Sequence, residues 1–299
     1  VYLESGEVVE IESGSFRLFD FNGKPIERKS VKTNRSFRAA QKCKYPDFMS
    51  KEIAEQPEAI QGAIAGRVNL VSGELEMPEI TLSANQIRSF DRVLITGMGT
   101  SLHAGMFGAS MIESLARIPA SAENSSELRY RNPVIGSNTL IIAVTQSGET
   151  ADTLAAMEYA SQQGSCQIVV LEQEGSQAAR IADFTLPIHA GQEIGVASTK
   201  TMIASMTTLL GLSIFLARAR SVIDADRVKQ LVEEIAVLPS LVASTIDRNG
   251  ETSDVAKHLA KFTDLLYLGR GPQLSIALEG ALKMKELAYI HAEGYPAAE

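Results

Sequence analysis

Residues 140–150 read Leu-Ile-Ile-Ala-Val-Thr-Gln-Ser-Gly-Glu-Thr. The first five are apolar and rich in β-branched side chains, the composition of a strand buried on both faces. The next six offer three hydroxyls, an amide and a glycine, and residues 151–162 then take up helical spacing. The same order recurs: an apolar strand at 93–95 and a helix over 101–116, then a further strand at 168–171. Alternating strands and helices predict an α/β fold, a doubly wound parallel sheet covered by helices on both faces.

Two strand ends look alike. Gly97-Met98-Gly99-Thr100-Ser101 follows the strand at 93–95, and Thr145-Gln146-Ser147-Gly148-Glu149-Thr150 follows the strand at 140–144. Ligands of open parallel sheets sit outside the carboxyl ends of the strands, where strand order reverses. Glycine lets the backbone come close, free N–H groups at a helix start attract an anion, and short hydroxyls add hydrogen bonds. The plainer alternative is that Ser147 and Thr150 cap the next helix. Two matching loops favour a phosphate cradle. Leu102 stands where a dinucleotide fingerprint needs its third glycine, and no Walker lysine is present, so a small phosphorylated metabolite fits better than a nucleotide.

Working outward, residues 1–30 alternate apolar and polar side chains with turn signals at Ser5-Gly6, Ser13-Gly14 and Asn22-Gly23, which predicts a small β-meander. Val1 opens mid-pattern without an initiator methionine, as expected of a stretch from a longer protein. A polar bridge over 29–44 leads to helical spacing at 47–66, with Asp47 as a candidate cap. A long helical region runs over 197–219, and further helices fall between 225 and 260. The theme then restarts with a strand at 265–268, a turn at Gly269-Arg270-Gly271-Pro272 and a helix over 276–290.

Composition narrows the class. Hydrophobic residues at 45% and charged residues at 21% exclude a mainly disordered chain, and a net charge of −8 gives no reason to expect nucleic acid or an anionic membrane. Residues 201–217 are short for a bilayer span and carry five hydroxyls, as a buried helix does. Cys43 and Cys166 form neither a disulfide framework nor a metal-ligand pair, and no signal peptide opens the chain, so a cytoplasmic setting is expected. His103, His189, His258 and His291 show no metal-ligand spacing and read as packing or surface residues; no metal and no cofactor are implied.

A third loop, Glu193-Ile194-Gly195-Val196-Ala197-Ser198-Thr199-Lys200, is small and hydroxyl-rich; capping by Ser198 or Thr199 explains it as well as ligand contact does. Downstream, Glu279, Lys283 and Glu286 are spaced i, i+4 and i+7 and share one helix face. A carboxylate beside a lysine is suited to moving a proton next to a carbonyl, although spacing alone fits a solvated ion-pair stripe better.

Resemblance changes that balance. Gly-Met-Gly-Thr-Ser, Thr-Gln-Ser-Gly-Glu-Thr-Ala-Asp-Thr, Glu-Ile-Gly-Val-Ala-Ser-Thr-Lys and the helix Ala-Leu-Glu-Gly-Ala-Leu-Lys-Met-Lys-Glu occur in this order and, with the linker Phe48-Met49-Ser50-Lys51-Glu52-Ile53-Ala54-Glu55-Gln56-Pro57, resemble the isomerase part of the glutamine:fructose-6-phosphate aminotransferase family. Strand, hydroxyl loop and helix alone resemble the broader sugar isomerase (SIS) superfamily.

The resemblance implies a flavodoxin-like α/β/α SIS domain over 76–245, the beginning of a second SIS domain over 246–299, a linker helix over 39–75, and the last strands of a glutaminase domain over 1–38. It implies a homodimer that makes glucosamine 6-phosphate from fructose 6-phosphate and glutamine, with ammonia channelled from the glutaminase domain. Carried onto these residues, Thr100, Ser101, Thr145, Gln146, Ser147 and Thr150 hold the phosphate; Val196 and Ser198 contact the sugar; Glu286 is the base, with Lys283 and Glu279 beside it. The glutaminase's terminal cysteine, the ring-opening histidine and the Schiff-base lysine fall outside these 299 residues, so this stretch alone is expected to bind sugar phosphate weakly and not to turn over. A sugar-phosphate-sensing regulator is the rival class, but neither a helix-turn-helix nor a basic stripe is visible. A stand-alone isomerase with one SIS domain leaves the meander and the second strand–helix unit unexplained.

Overall fold

The computed structural model describes residues 1, 3–4, 6–30 and 41–298, in two compact units, Val1–Ala40 and Gln41–Glu299. Ser5 of the first turn signal, much of the polar bridge and the expected boundary at 38/39 lie outside the described residues.

The first unit is the expected meander. Strand β1 (Glu7–Glu12) pairs antiparallel with β2 (Ser15–Asp20), and β2 with β3 (Pro25–Ile26). The Ser13-Gly14 turn fixes the register, with Glu12 opposite Ser15. Leu18 is buried, and Arg28 clasps Glu7 through two 2.7 Å hydrogen bonds.

In the second unit Asp47 caps α1 (Phe48–Ala54), accepting the Ser50 N–H at 2.7 Å. The expected single helix over 47–66 is corrected: it breaks at Glu55 and restarts as α2 (Gln56–Ile64), with Pro57 in the first turn where a missing N–H does no harm. A hairpin of β4 (Val68–Asn69) and β5 (Glu74–Leu75) follows, then α3 (Ala84–Ser89), opened by a Ser83/Gln86 capping box.

The central domain then runs β6 (Arg92–Gly97), α4 (Thr100–Ala116), β7 (Ala120–Asn124), α5 (Ser125–Arg131), β8 (Thr139–Val144), α6 (Ala151–Gln162), β9 (Cys166–Leu171), α7 (Gln177–Ile181) and β10 (Phe184–Pro187). All five strands are parallel, in the order β10-β9-β8-β6-β7. The chain moves outward one way from β6 to β7 and the other way from β8 to β10, so strand order reverses between β6 and β8. This is the flavodoxin-like doubly wound order, with its ligand crevice at the β6/β8 carboxyl ends.

Period-2 alternation sorts the side chains into layers. Val93, Ile95, Leu140 and Ile142 join Ile112, Leu209 and Leu212 in one core, while Leu94 and Ile141 pack with Leu128 and Ala156 on the opposite face. Every residue of β8 is buried, as its unbroken apolar run requires. The long helix α8 (Lys200–Ala219) is the one described helix long and apolar enough to cross a membrane; 67% of that window is buried inside the unit, where α8 packs against α4.

Helices α9 (Ala225–Ala236), α10 (Leu238–Asp247) and α11 (Asn249–Leu259) lead to β11 (Asp264–Gly269), α12 (Gln273–Lys283) and β12 (His291–Pro296). β11 and β12 form a separate parallel pair, with α12 packed on it and on α4. The expectation of one strand and one helix here is corrected to a complete β-α-β unit. The expected helix over 276–290 is corrected too: α12 ends at Lys283, a π turn spans Met284–Ala288, and Tyr289 stops it in the left-handed region (φ 54°).

Candidate active site

Three loops meet at the switch point. The loop after β6 turns into α4 through Gly99, whose φ of 51° places it outside the helical region and which brings no side chain to cap the helix. Thr100 and Ser101 in the first turn face a cavity of about 270 Å³ that Gln146, Val196, Ser198, Lys283 and Glu286 also line.

The loop after β8 is shaped from within. Thr145 is buried, and its Oγ1 accepts the Gly148 N–H at 3.3 Å; Ser147 Oγ accepts the Glu149 N–H at 3.2 Å. Thr150 stands at the N-cap of α6 but makes no capping hydrogen bond, so capping does not account for its hydroxyl. Gly148 has a φ of 67°, and a Cβ there would lie 1.9 Å from Ser176 Oγ, so both conformation and space require glycine. Gln146 reaches the cavity; Thr145, Ser147 and Thr150 stand beside it in the same loop.

The third loop ends at α8. Neither Ser198 nor Thr199 caps that helix. Glu193 takes that place: its Oε1 accepts the Thr199 N–H at 2.7 Å and its carboxylate also takes the Thr201 hydroxyl. Ser198 Oγ pairs with Thr201 Oγ1 at 2.7 Å, and Val196 is 99% exposed at the cavity mouth.

The fourth wall is α12 with its π turn. Lys283 Nζ lies 3.2 Å from Glu279 Oε1 and 2.8 Å from Glu286 Oε2, and donates to Thr100 Oγ1 at 3.3 Å. The three residues chosen for a shared helix face are therefore joined through one ammonium, which a solvated stripe would not bring to Thr100. Glu279 is buried; it accepts from Thr100 Oγ1 at 2.8 Å and from His103 Nδ1 at 2.7 Å. Burial pushes the Glu279 carboxyl upward, but the hydrogen bonds from His103 and Thr100 and the Lys283 charge outweigh it and hold the group below the ordinary carboxylate range.

His103 is the residue that the sequence reading passed over as packing or surface. Its place three residues after Thr100 puts both on one face of α4, which is the signal that could have found it. Its partner is 176 positions away. Glu279 lies behind the cavity wall and not on it, while Lys283 and Glu286 face the open space.

The SIS domain family matches residues 86–214. A glutamine–fructose-6-phosphate aminotransferase (isomerizing) from Caulobacter vibrioides is 42% identical over 299 residues, covering 100% of this chain and 49% of that protein. One from Thermus thermophilus is 38% identical with the same coverage. The chain thus spans about half the length of the curated relatives it matches. Among solved structures, the C-terminal domain of glucosamine-fructose-6-phosphate aminotransferase from Francisella tularensis is similar with a TM-score of 0.82 and 33% identity, over 87% of this chain and 72% of that one. A putative phosphosugar isomerase from Silicibacter pomeroyi gives a TM-score of 0.67 at 27% identity, over 84% and 72%.

Proposed function

The chain belongs to the glutamine–fructose-6-phosphate aminotransferase family, and from that premise we propose that it is the sugar-phosphate-binding, isomerase half of such an enzyme. On this reading the phosphate of fructose 6-phosphate sits between the α4 start, with Thr100 and Ser101, and the loop holding Gln146, Ser147 and Thr150, which Thr145 shapes. Two oriented helix starts and the hydroxyls of Ser101, Ser147 and Thr150 supply donors to an anion, while the Thr100 hydroxyl gives its one proton to Glu279. Val196 and Ser198 contact the sugar.

The chemistry follows from the Lys283–Glu286 pair. Ammonia condenses at the C2 carbonyl of the open-chain ketose with loss of water. With the imine nitrogen protonated, Glu286 takes a proton from C1, leaving a neutral enolamine, and returns it to C2 while the C1 hydroxyl gives up its own proton to solvent, which gives the C1 aldehyde of glucosamine 6-phosphate. Lys283 holds Glu286 in place and offers positive charge where electron density builds up. Glu279, ionised and fixed by Thr100 and His103, keeps the Lys283 ammonium at the wall. A glutaminase domain as ammonia source, a homodimer and a cytoplasmic setting belong to the same proposal.

One observation carries this reading: three loops from distant parts of the chain and the Lys283–Glu286 pair line one cavity at the β6/β8 reversal. Thermal unfolding of the chain with fructose 6-phosphate, glucosamine 6-phosphate and ATP tests it. A ligand at a hundred times its Kd adds about 2.7 kcal/mol, so the sugar phosphates are expected to raise Tm and ATP is not. A response to ATP alone, or none to either sugar phosphate, overturns it.

A further inference from the structure

The linker stretch Lys51-Glu52-Ile53-Ala54-Glu55, to which the assignment above gives no task, reaches the sugar loop. Glu52 is 2% exposed, and its carboxylate is spent on the main chain: Oε1 accepts the N–H of Ile194 at 2.6 Å and of Gly195 at 3.0 Å, while Oε2 lies 3.2 Å from the Gly195 nitrogen. A Cβ on Gly195 would stand 2.5 Å from Glu52 Oε2, so this residue must be glycine for the carboxylate to come so close. Three residues on, Glu55 holds Lys200 Nζ at 2.8 Å, at the first residue of α8. Glu193 fastens the loop's far end to the Thr199 N–H. The stretch that carries Val196 and Ser198 is therefore pinned at one end by Glu52 of α1 and at the other by Glu55, just past α1, and Glu193 together.

We propose that Glu52 is a positioning residue for the sugar subsite. It sets the path of residues 194–198 so that Val196 and Ser198 meet the sugar, whereas the phosphate cradle on β6 and β8 is built without it. The proposal rests on the sugar-phosphate reading above. Hydrogen bonds from N–H groups to an ionised carboxylate are among the stronger ones, and removing the acceptor leaves two half-buried donors without the partner that holds the loop.

The test titrates the 299-residue chain and its Glu52→Gln and Glu52→Ala variants with fructose 6-phosphate and with inorganic phosphate by calorimetry, alongside amide exchange. The loss expected for fructose 6-phosphate is about tenfold or more, with inorganic phosphate within about twofold, since only the loop's hydrogen bonds are removed. The Ile194 and Gly195 amides are expected to exchange faster while β6 and β8 stay protected. Unchanged sugar-phosphate affinity, a parallel loss for both ligands, or unchanged exchange at 194–195 overturns the proposal. If the unsubstituted chain binds inorganic phosphate as well as fructose 6-phosphate, the substrate reading fails, and the exchange measurement still decides whether Glu52 holds the loop.

Discussion

His103 Nδ1 donates to Glu279 Oε2 across 2.7 Å, joining α4 of the central domain to α12 of the terminal β-α-β unit. Both side chains are largely buried, and Thr100 and Lys283 complete the carboxylate's partners. One contact thus links the helix that starts at Thr100 to the helix that leads to Glu286.

The pH dependence of that link has a definite sign. Glu279 is held below its ordinary value of 4.5, so its contribution to stability is full above about pH 4.5 and is lost as pH falls through the lowered value. Unfolding curves of the native chain and Glu279→Gln are expected to differ at pH 7 and to converge in acid. His103→Ala is expected to cost about 1.5–3 kcal/mol at neutral pH, the range for a hydrogen bond to a charged group. A gap that persists in acid, once the carboxyl is protonated, would mean that packing, not ionisation, makes the difference.

Gly148→Ala forces a φ of 67° on alanine and drives its Cβ into Ser176 Oγ. The expected loss is about 1–3 kcal/mol with weaker phosphate binding, because the loop must shift to relieve the clash. Gly136→Ala meets only Asn138 Oδ1 at 3.7 Å and serves as the neutral control. Chemical denaturation of the two variants checks the contrast.

Ser101→Ala and Ser147→Ala each remove one hydroxyl from the proposed phosphate cradle. Fructose 6-phosphate affinity is expected to fall roughly tenfold for each, since a hydrogen bond to a charged phosphate is worth about 1.5–3 kcal/mol. Calorimetry that finds neither loss would move the phosphate elsewhere.

Glu286→Gln removes the proposed base and leaves the cavity's shape. Within an aminotransferase of the relatives' full length, aldose formation is expected to drop about 10²–10⁴-fold while glutamine hydrolysis continues, the usual scale of a general base. Product analysis by chromatography separates the two activities.

The two thiols are expected to differ sharply. Burial, with Asp183 beside it, pushes Cys166 up to about 11, whereas Cys43 is exposed. At pH 8 about one Cys166 in a thousand is thiolate, and the thiolate is the reactive form. Iodoacetamide followed by mass spectrometry should label Cys43 on the folded chain and Cys166 only after unfolding.

Much of this was legible in the residues because it is written locally. The run at 140–144 gives β8 directly, and the hydroxyl loops behind β6 and β8 mark the crevice. What stayed hidden depends on distant partners. β7 is an edge strand of Ala-Ser-Ala-Glu-Asn, with no apolar pattern to read, and β12 carries Gly294 and Pro296 and becomes a strand by pairing with β11. His103 and Glu279 stand 176 positions apart and Glu52 and Ile194 142 apart, so only the folded chain joins them. The breaks at Glu55 and Lys283 divide stretches whose helical periodicity barely changes.

The π turn at Met284–Ala288 bears on how the site tolerates sequence change. A π turn is an α-helix holding one residue too many, and each residue of an α-helix advances about 100° around the axis. Deleting Met284 or Lys285 is expected to heal the spiral and turn Glu286, the proposed base, away from Lys283. On the proposed reading, loss of one codon, without exchange of a single reactive group, would thus be enough to disarm the site.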